Sequence, residues 1–89
     1  MTAGHADEVT AVPSATVRFW AGARQARGVD SEQTTHSTVG ALRQFLGNDP
    51  AFSRLADIVS FLVDNQIAGD ATPIPAGSVV DVLPPFAGG

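Results

Sequence analysis

The sequence predicts an α+β fold, a mixed sheet of four to five strands crossed by one main helix plus a short helix. Three observations predict it. Short apolar runs with strand character lie near residues 15–21, 58–63 and 78–83, while helical spacing of apolar residues is concentrated in 37–47. The elements do not alternate strand and helix as a doubly wound parallel sheet requires. The 89 residues, 44% apolar and 16% charged, suit one small globular domain rather than two domains or a disordered chain.

Residues 1–14 (MTAGHADEVTAVPS) are small, polar and acidic without periodicity, and read as a flexible arm. Residues 15–21 (ATVRFWA) form the first strand. Val17 and Phe19 share one face, and Thr16, Arg18 and Trp20 the other, which Arg18 marks as wet. Trp20 is thus a large aromatic on a face that otherwise reads as exposed. Gly22 to Gly28 reads as a turn carrying Arg24 and Arg27, a solvated loop in preference to an anion site. Residues 29–36 (VDSEQTTH) form a weak, polar, edge-like strand that closes a hairpin.

Ser37 or Thr38 caps the main helix, in which Val39, Leu42, Phe45 and Leu46 fall on one face. Gly47 suits the left-handed position that ends a helix, and Gly40 marks close packing against a sheet. Asp49-Pro50 starts a short helix ending near Asp57, with Phe52 and Leu55 as its apolar side. Residues 58–63 (IVSFLV) are a central or nearly central strand. Asp64-Asn65-Gln66 is a turn, Ile67-Ala68 a brief return strand, and Gly69–Gly77 a proline-rich loop whose Ile74 plugs the core. Residues 78–83 (SVVDVL) close the sheet, with Val80 and Val82 on one face and Val79, Asp81 and Leu83 on the wetter one. This order is the β-grasp, or ubiquitin-like, pattern, in which the first and last strands lie parallel at the sheet centre. The domain is expected over 15–83, with a flexible tail at 84–89.

Composition excludes several functions. Cysteine is absent, which rules out disulfides, a thiolate zinc site and a cysteine nucleophile. A net charge of −4 argues against nucleic acid and anionic membrane as partners. No apolar run approaches the length of a membrane span. The start of the chain lacks the basic and apolar segments of a secretory signal, so a cytoplasmic location is expected. His5 and His36 have no partners at the spacing of a metal site or a Ser-His-Asp relay. Asp64 and Asp70 flank turns, as such residues commonly do.

The chemistry sits in the ending, Pro84-Pro85-Phe86-Ala87-Gly88-Gly89. Two prolines stiffen the exit from the last strand, because neither donates a backbone hydrogen bond and both fix φ. Gly88 and Gly89 remove side-chain bulk, so the end fits a narrow channel and presents its α-carboxylate to another protein's active site. Trp20 and Leu83 lie near the C-terminal ends of parallel neighbours on the non-helix face, and Ile67 is expected to join them. A patch of this composition beside the tail exit reads as an interface centre.

The segments TVRFWAGARQAR (16–27), TVGALRQFL (38–46), VDNQI (63–67) and above all VDVLPPFAGG (80–89) resemble the MoaD/ThiS sulfur-carrier family, most of all its molybdopterin synthase small-subunit branch. The resemblance spans residues 15–89. It departs at Ala76-Gly77-Ser78, where the family often has an acidic Gly-Asp-Glu turn. It implies that a ubiquitin-activating-like adenylyltransferase uses ATP to convert the Gly89 carboxylate to an acyl-adenylate. A sulfurtransferase donor then leaves a C-terminal thiocarboxylate, with no cofactor bound by this chain. In the molybdopterin branch the large subunit receives the tail, and the sulfur builds the dithiolene of molybdopterin. The resemblance gives Gly88 and Gly89 the reactive end, and places Trp20, Ile67, Leu83, Pro84, Pro85, Phe86 and Ala87 against partners. The chain would then be a sulfur-donating subunit rather than a catalyst by itself. A carrier for thiamine thiazole or cysteine biosynthesis shares this chemistry. A ubiquitin-like modifier joined to lysines, or a non-catalytic interaction module, is the reading of another class.

Overall fold

The computed structural model describes residues 13–85. Five strands and three helices follow in the order β1 (Ala15–Phe19), α1 (Ala21–Arg27), β2 (Ser31–Thr34), α2 (Val39–Gly47), α3 (Ser53–Ala56), β3 (Ser60–Val63), β4 (Gln66–Ala68) and β5 (Val79–Leu83). The strands form one mixed sheet in the order β2-β1-β5-β3-β4. β1 and β5 are parallel neighbours, and the other pairs are antiparallel. This is the β-grasp arrangement, with β5 at the centre and β2 and β4 at the edges.

Register explains which residues are buried. Val17, Val80 and Val63 align across three strands, and Phe19, Val82, Phe61 and Ala68 align across four, two residues further along β1 and β5. These rows face the helices. Val39, Leu42 and Leu46 of α2, together with Phe52 and Ile74, complete the buried core. Phe52 has no exposed surface and packs edge-on against Phe19, with ring centroids 6.0 Å apart. Full burial of side chains of this size stabilises by about 1.5–3 kcal/mol each. Ile74 is buried between its prolines, as the sequence predicts, and its N–H donates to the Ser37 carbonyl at 2.8 Å.

Helix α2 begins where the side-chain oxygen of Thr38 accepts from the Ala41 N–H at 3.2 Å. Its end differs from expectation. Gly47 belongs to the helix, and Asn48 follows in right-handed geometry, so no left-handed residue ends it. Gly40 faces the 69–77 loop rather than the sheet: its N–H donates to the Asp70 carbonyl at 2.8 Å, and a Cβ there would stand 3.0 Å from that oxygen. Phe45 lies off the apolar stripe, 42% exposed, with its ring tilted against His36 at 4.9 Å and under the Arg27 guanidinium. Asp49 starts a turn before α3 instead of capping it. Its carboxylate accepts from the Ala51 N–H, and Phe52 is the residue that precedes the helix. β3 begins at Ser60, leaving Ile58 exposed and Val59 buried.

The largest correction concerns residues 21–27, which fold as α1 rather than a turn. Ala, Arg and Gln favour helix, Ala23 is buried, and Gly28 ends the helix at φ 88°, a left-handed value open to glycine. One helical turn therefore separates Arg24 from Arg27. Arg27 bonds Glu32 twice at 2.9 Å and Asp49 once at 2.9 Å, bracing α1 against β2 and the link after α2. The flanking carboxylates hold its guanidinium pKa above the ordinary value, the Glu32 hydrogen bonds contributing most. The turn between β3 and β4 has Asp64 at φ 48° and Asn65 at φ 69°, as expected, whereas Gln66, expected in the turn, opens β4 opposite Val63. Among the described residues no helix is long and apolar enough to cross a membrane. Of the expected arm, Ser14 is tied to the domain, its carbonyl accepting from Gly77 and its hydroxyl donating to Gln33.

Candidate functional site

The face of the sheet turned away from the helices carries the candidate surface. One row crosses all five strands: Ser31, Arg18, Asp81, Leu62 and Ile67. Trp20 follows β1 in extended geometry, at φ −116° and ψ 146°, so its ring falls on the same face as Arg18. Its N–H donates to the Val82 carbonyl at 3.2 Å. Extending the β1–β5 register by one residue beyond Phe19 and Val82 puts Trp20 beside Leu83. Trp20 is 43% exposed and Leu83 half-buried, and the next residues, Pro84 and Pro85, lead off this corner.

Ile67 is on the same face and 89% exposed, but it belongs to the far edge strand. Three strand spacings, roughly 14 Å, separate β4 from β1. Half-buried Leu62 lies between, opposite both Ile67 and Asp81. The sequence reading missed Leu62, because Phe61-Leu62-Val63 is an apolar run without the alternation that would mark an outward side chain. Phe86, Ala87, Gly88 and Gly89 lie outside the described residues.

Asp81 was expected to mark the wetter side of β5. Its backbone direction agrees, yet the residue is only 4% exposed. Arg18 and Trp20 cover it. Arg18 Nε and Nη2 donate to its two oxygens at 2.7 and 3.0 Å, and Trp20 Nε1 donates to Oδ1 at 2.8 Å. The Arg18 hydrogen bonds, opposed by burial and assisted by Trp20, hold the Asp81 carboxyl below the ordinary aspartate range. The same pair raises the Arg18 guanidinium. The Arg18 guanidinium carbon lies 5.4 Å from the Trp20 ring centroid, a cation–π contact.

Beside this cluster is an open cleft of about 260 Å³ lined by Arg18, Phe19, Trp20, Arg24, Asp30 and Ser31. Small-molecule sites run to roughly 300–1,000 Å³ and enclose their ligand, so this cleft suits a partner's side chain better than a cofactor. Arg24 reaches Asp30 only at 3.6 Å, with both side chains exposed. Among the described residues no group of three His, Asp or Glu side chains could hold a metal ion.

The model of the ThiS family matches residues 17–89, a span that runs from within β1 through β5 and ends on Gly88-Gly89. This chain belongs to the ThiS family. Solved structures give the same fold. A protein described as molybdopterin converting factor subunit 1 from Pyrococcus furiosus is 22% identical with a TM-score of 0.73, covering 85% of this chain and 100% of that one. The small archaeal modifier protein SAMP1 of Haloferax volcanii is 25% identical, with a TM-score of 0.70 and coverage of 85% and 99%. A chain from the complex of subunits 1 and 2 of the Helicobacter pylori molybdopterin-converting factor is 19% identical, with a TM-score of 0.67 and coverage of 85% and 99%. A comparison with curated protein sequences found no match. At this level the chain is a sulfur carrier of the ThiS/MoaD kind or a small ubiquitin-like modifier.

Proposed function

We propose that this protein is the sulfur-donating small subunit of molybdopterin synthase. The observation that carries the reading is a family match ending on Gly88-Gly89, on a tail that leaves the central strand beside exposed Trp20. The Helicobacter pylori complex of subunits 1 and 2 supports a large subunit as the partner of that corner. Trp20, Leu83, Leu62 and Ile67 supply the apolar contact, and Pro84 to Ala87 the approach of the tail into its channel.

A carboxylate is a poor acyl donor. Attack of the Gly89 carboxylate on the α-phosphate of ATP, at an adenylyltransferase, releases pyrophosphate and gives an acyl-adenylate. The terminal sulfur of a donor persulfide attacks the acyl carbon and AMP leaves. A thiol then cleaves the remaining S–S bond, becoming a disulfide, and the thiocarboxylate stays on Gly89. In the large subunit that sulfur passes to the pterin precursor and builds the dithiolene. The described residues of this chain position the tail, while acid–base work falls to the partner.

The test is mass spectrometry of the intact protein after incubation with activating enzyme, ATP and a persulfide donor. The mass should rise by the difference between sulfur and oxygen, the gain should map to Gly89, and the product should form molybdopterin with the large subunit. Thiolation without molybdopterin would reassign the carrier to thiazole or cysteine synthesis. No thiolation would overturn the carrier reading.

A second reading has its own support in the likeness to SAMP1. A small modifier uses the same adenylate, and a lysine amine replaces sulfur as the nucleophile. This chain contains no lysine, so it would attach singly and build no chains through its own side chains. Isopeptide-linked remnants of Gly89 on cellular lysines would favour it.

A further inference from the structure

Asp81 stands in the middle strand, between Arg18 and Leu62 in the cross-sheet row, on the face the tail leaves from. Its neighbours on β5 are Val80 and Val82. A part-buried ion pair in such a place is weak support for stability, since apolar residues of similar volume often serve as well. What the carboxylate does have is the Trp20 indole. Trp20 is 43% exposed, and its ring is held by the Nε1–Oδ1 hydrogen bond at 2.8 Å and by Arg18, itself fixed to Asp81 by two bonds. An exposed aromatic ordered before contact loses less rotamer entropy on binding.

We propose that Asp81 is a positioning residue of the docking face, fixing the Trp20 ring through its indole N–H in the orientation a partner protein meets. The inference rests on the docking reading of Trp20, but its first test does not need a partner. Asp81 acts through Trp20 and touches no reacting atom.

Trp20 is the single tryptophan, so one indole N–H resonance and one emission band report its ring. In the full-length chain the indole N–H should exchange slowly with solvent. In Asp81→Val it should exchange fast, and the fluorescence anisotropy decay should gain a fast local component, both measured well below the lowered melting temperature of the variant. Unchanged exchange and anisotropy in Asp81→Val would overturn the proposal. If that variant does not fold, Asp81→Ala, which also removes the acceptor, is measured in the same way and judged by the same outcomes.

Binding to purified molybdopterin synthase large subunit then closes a double-mutant cycle. Asp81→Val should weaken binding about fivefold in the Trp20 background, and by no more than about 1.5-fold in Trp20→Phe, which lacks the indole N–H. Equal weakening in both backgrounds would show that Asp81 does not act through Trp20. Wild-type binding by Trp20→Ala would instead sink the docking reading, and the ring measurements on the free chain would still decide the role of Asp81.

Discussion

Arg18 and Asp81, 63 residues apart in sequence, face each other across the parallel β1–β5 pair and share a two-pronged ion pair at 2.7 and 3.0 Å. The pairing turns an exposed-looking face into a partly covered one, with Trp20 as the third member. It also fixes a sign for pH. The folded state holds the Asp81 carboxyl below its ordinary value of 3.8, so ionised Asp81 adds stability above that value and loses it as pH falls through the lower, folded value. The melting temperature of wild type should exceed that of Asp81→Asn at pH 7. The gap should narrow progressively below pH 3.8 in thermal scans followed by circular dichroism.

Trp20→Ala and Leu83→Asp should leave the monomer folded and weaken the large-subunit complex by about 2 kcal/mol or more, as for central interface anchors. Calorimetric titration measures the loss, and circular dichroism checks the fold. Unchanged affinity would remove these residues from the interface, and unfolding would assign them to the core.

Deleting Gly89, or adding one alanine after it, should abolish sulfur loading while thermal melting stays nearly unchanged. The core ends with Val82 on β5, and a terminal residue beyond it contributes little to stability. Sulfur loading of the extended chain, read as the intact mass gain, would refute the requirement for a free terminal glycine.

Gly40→Ala opposes two effects. Alanine favours the helix by about 1 kcal/mol. Its Cβ, however, would stand 3.0 Å from the Asp70 carbonyl oxygen and 3.1 Å from the Asp70 Cβ. The carbonyl is held in place by the Gly40 N–H, and the Asp70 carboxylate is paired with Arg43 at 2.9 Å. The close approach should win, with a net loss of about 1 kcal/mol and a melting temperature several degrees lower.

Phe52→Ala removes a ring with no exposed surface that packs edge-on against Phe19. The loss should be about 3–5 kcal/mol, a large share of the stability of a small domain. Urea unfolding should show a much lower midpoint.

Local chemistry was legible in the sequence by itself. Thr38 as a cap, the Val39–Leu42–Leu46 stripe, the Asp64-Asn65 turn, the alternating faces of β1 and β5, and the Pro84-Pro85…Gly88-Gly89 ending each depend on residues a few positions apart, so their pattern survives in one dimension. From the order of those elements came the β-grasp topology. Tertiary structure decided the rest. Helix α1 carries two glycines in or beside it and buries Ala23, too little apolar surface to leave a helical stripe in the sequence. Leu62 faces outward and Phe61 inward only because β3 pairs with β5 in one register. Asp81 is buried only because the parallel register places Arg18 opposite it and extended Trp20 alongside. A carboxylate's exposure is set by what covers it, and here both covering side chains come from the other end of the chain.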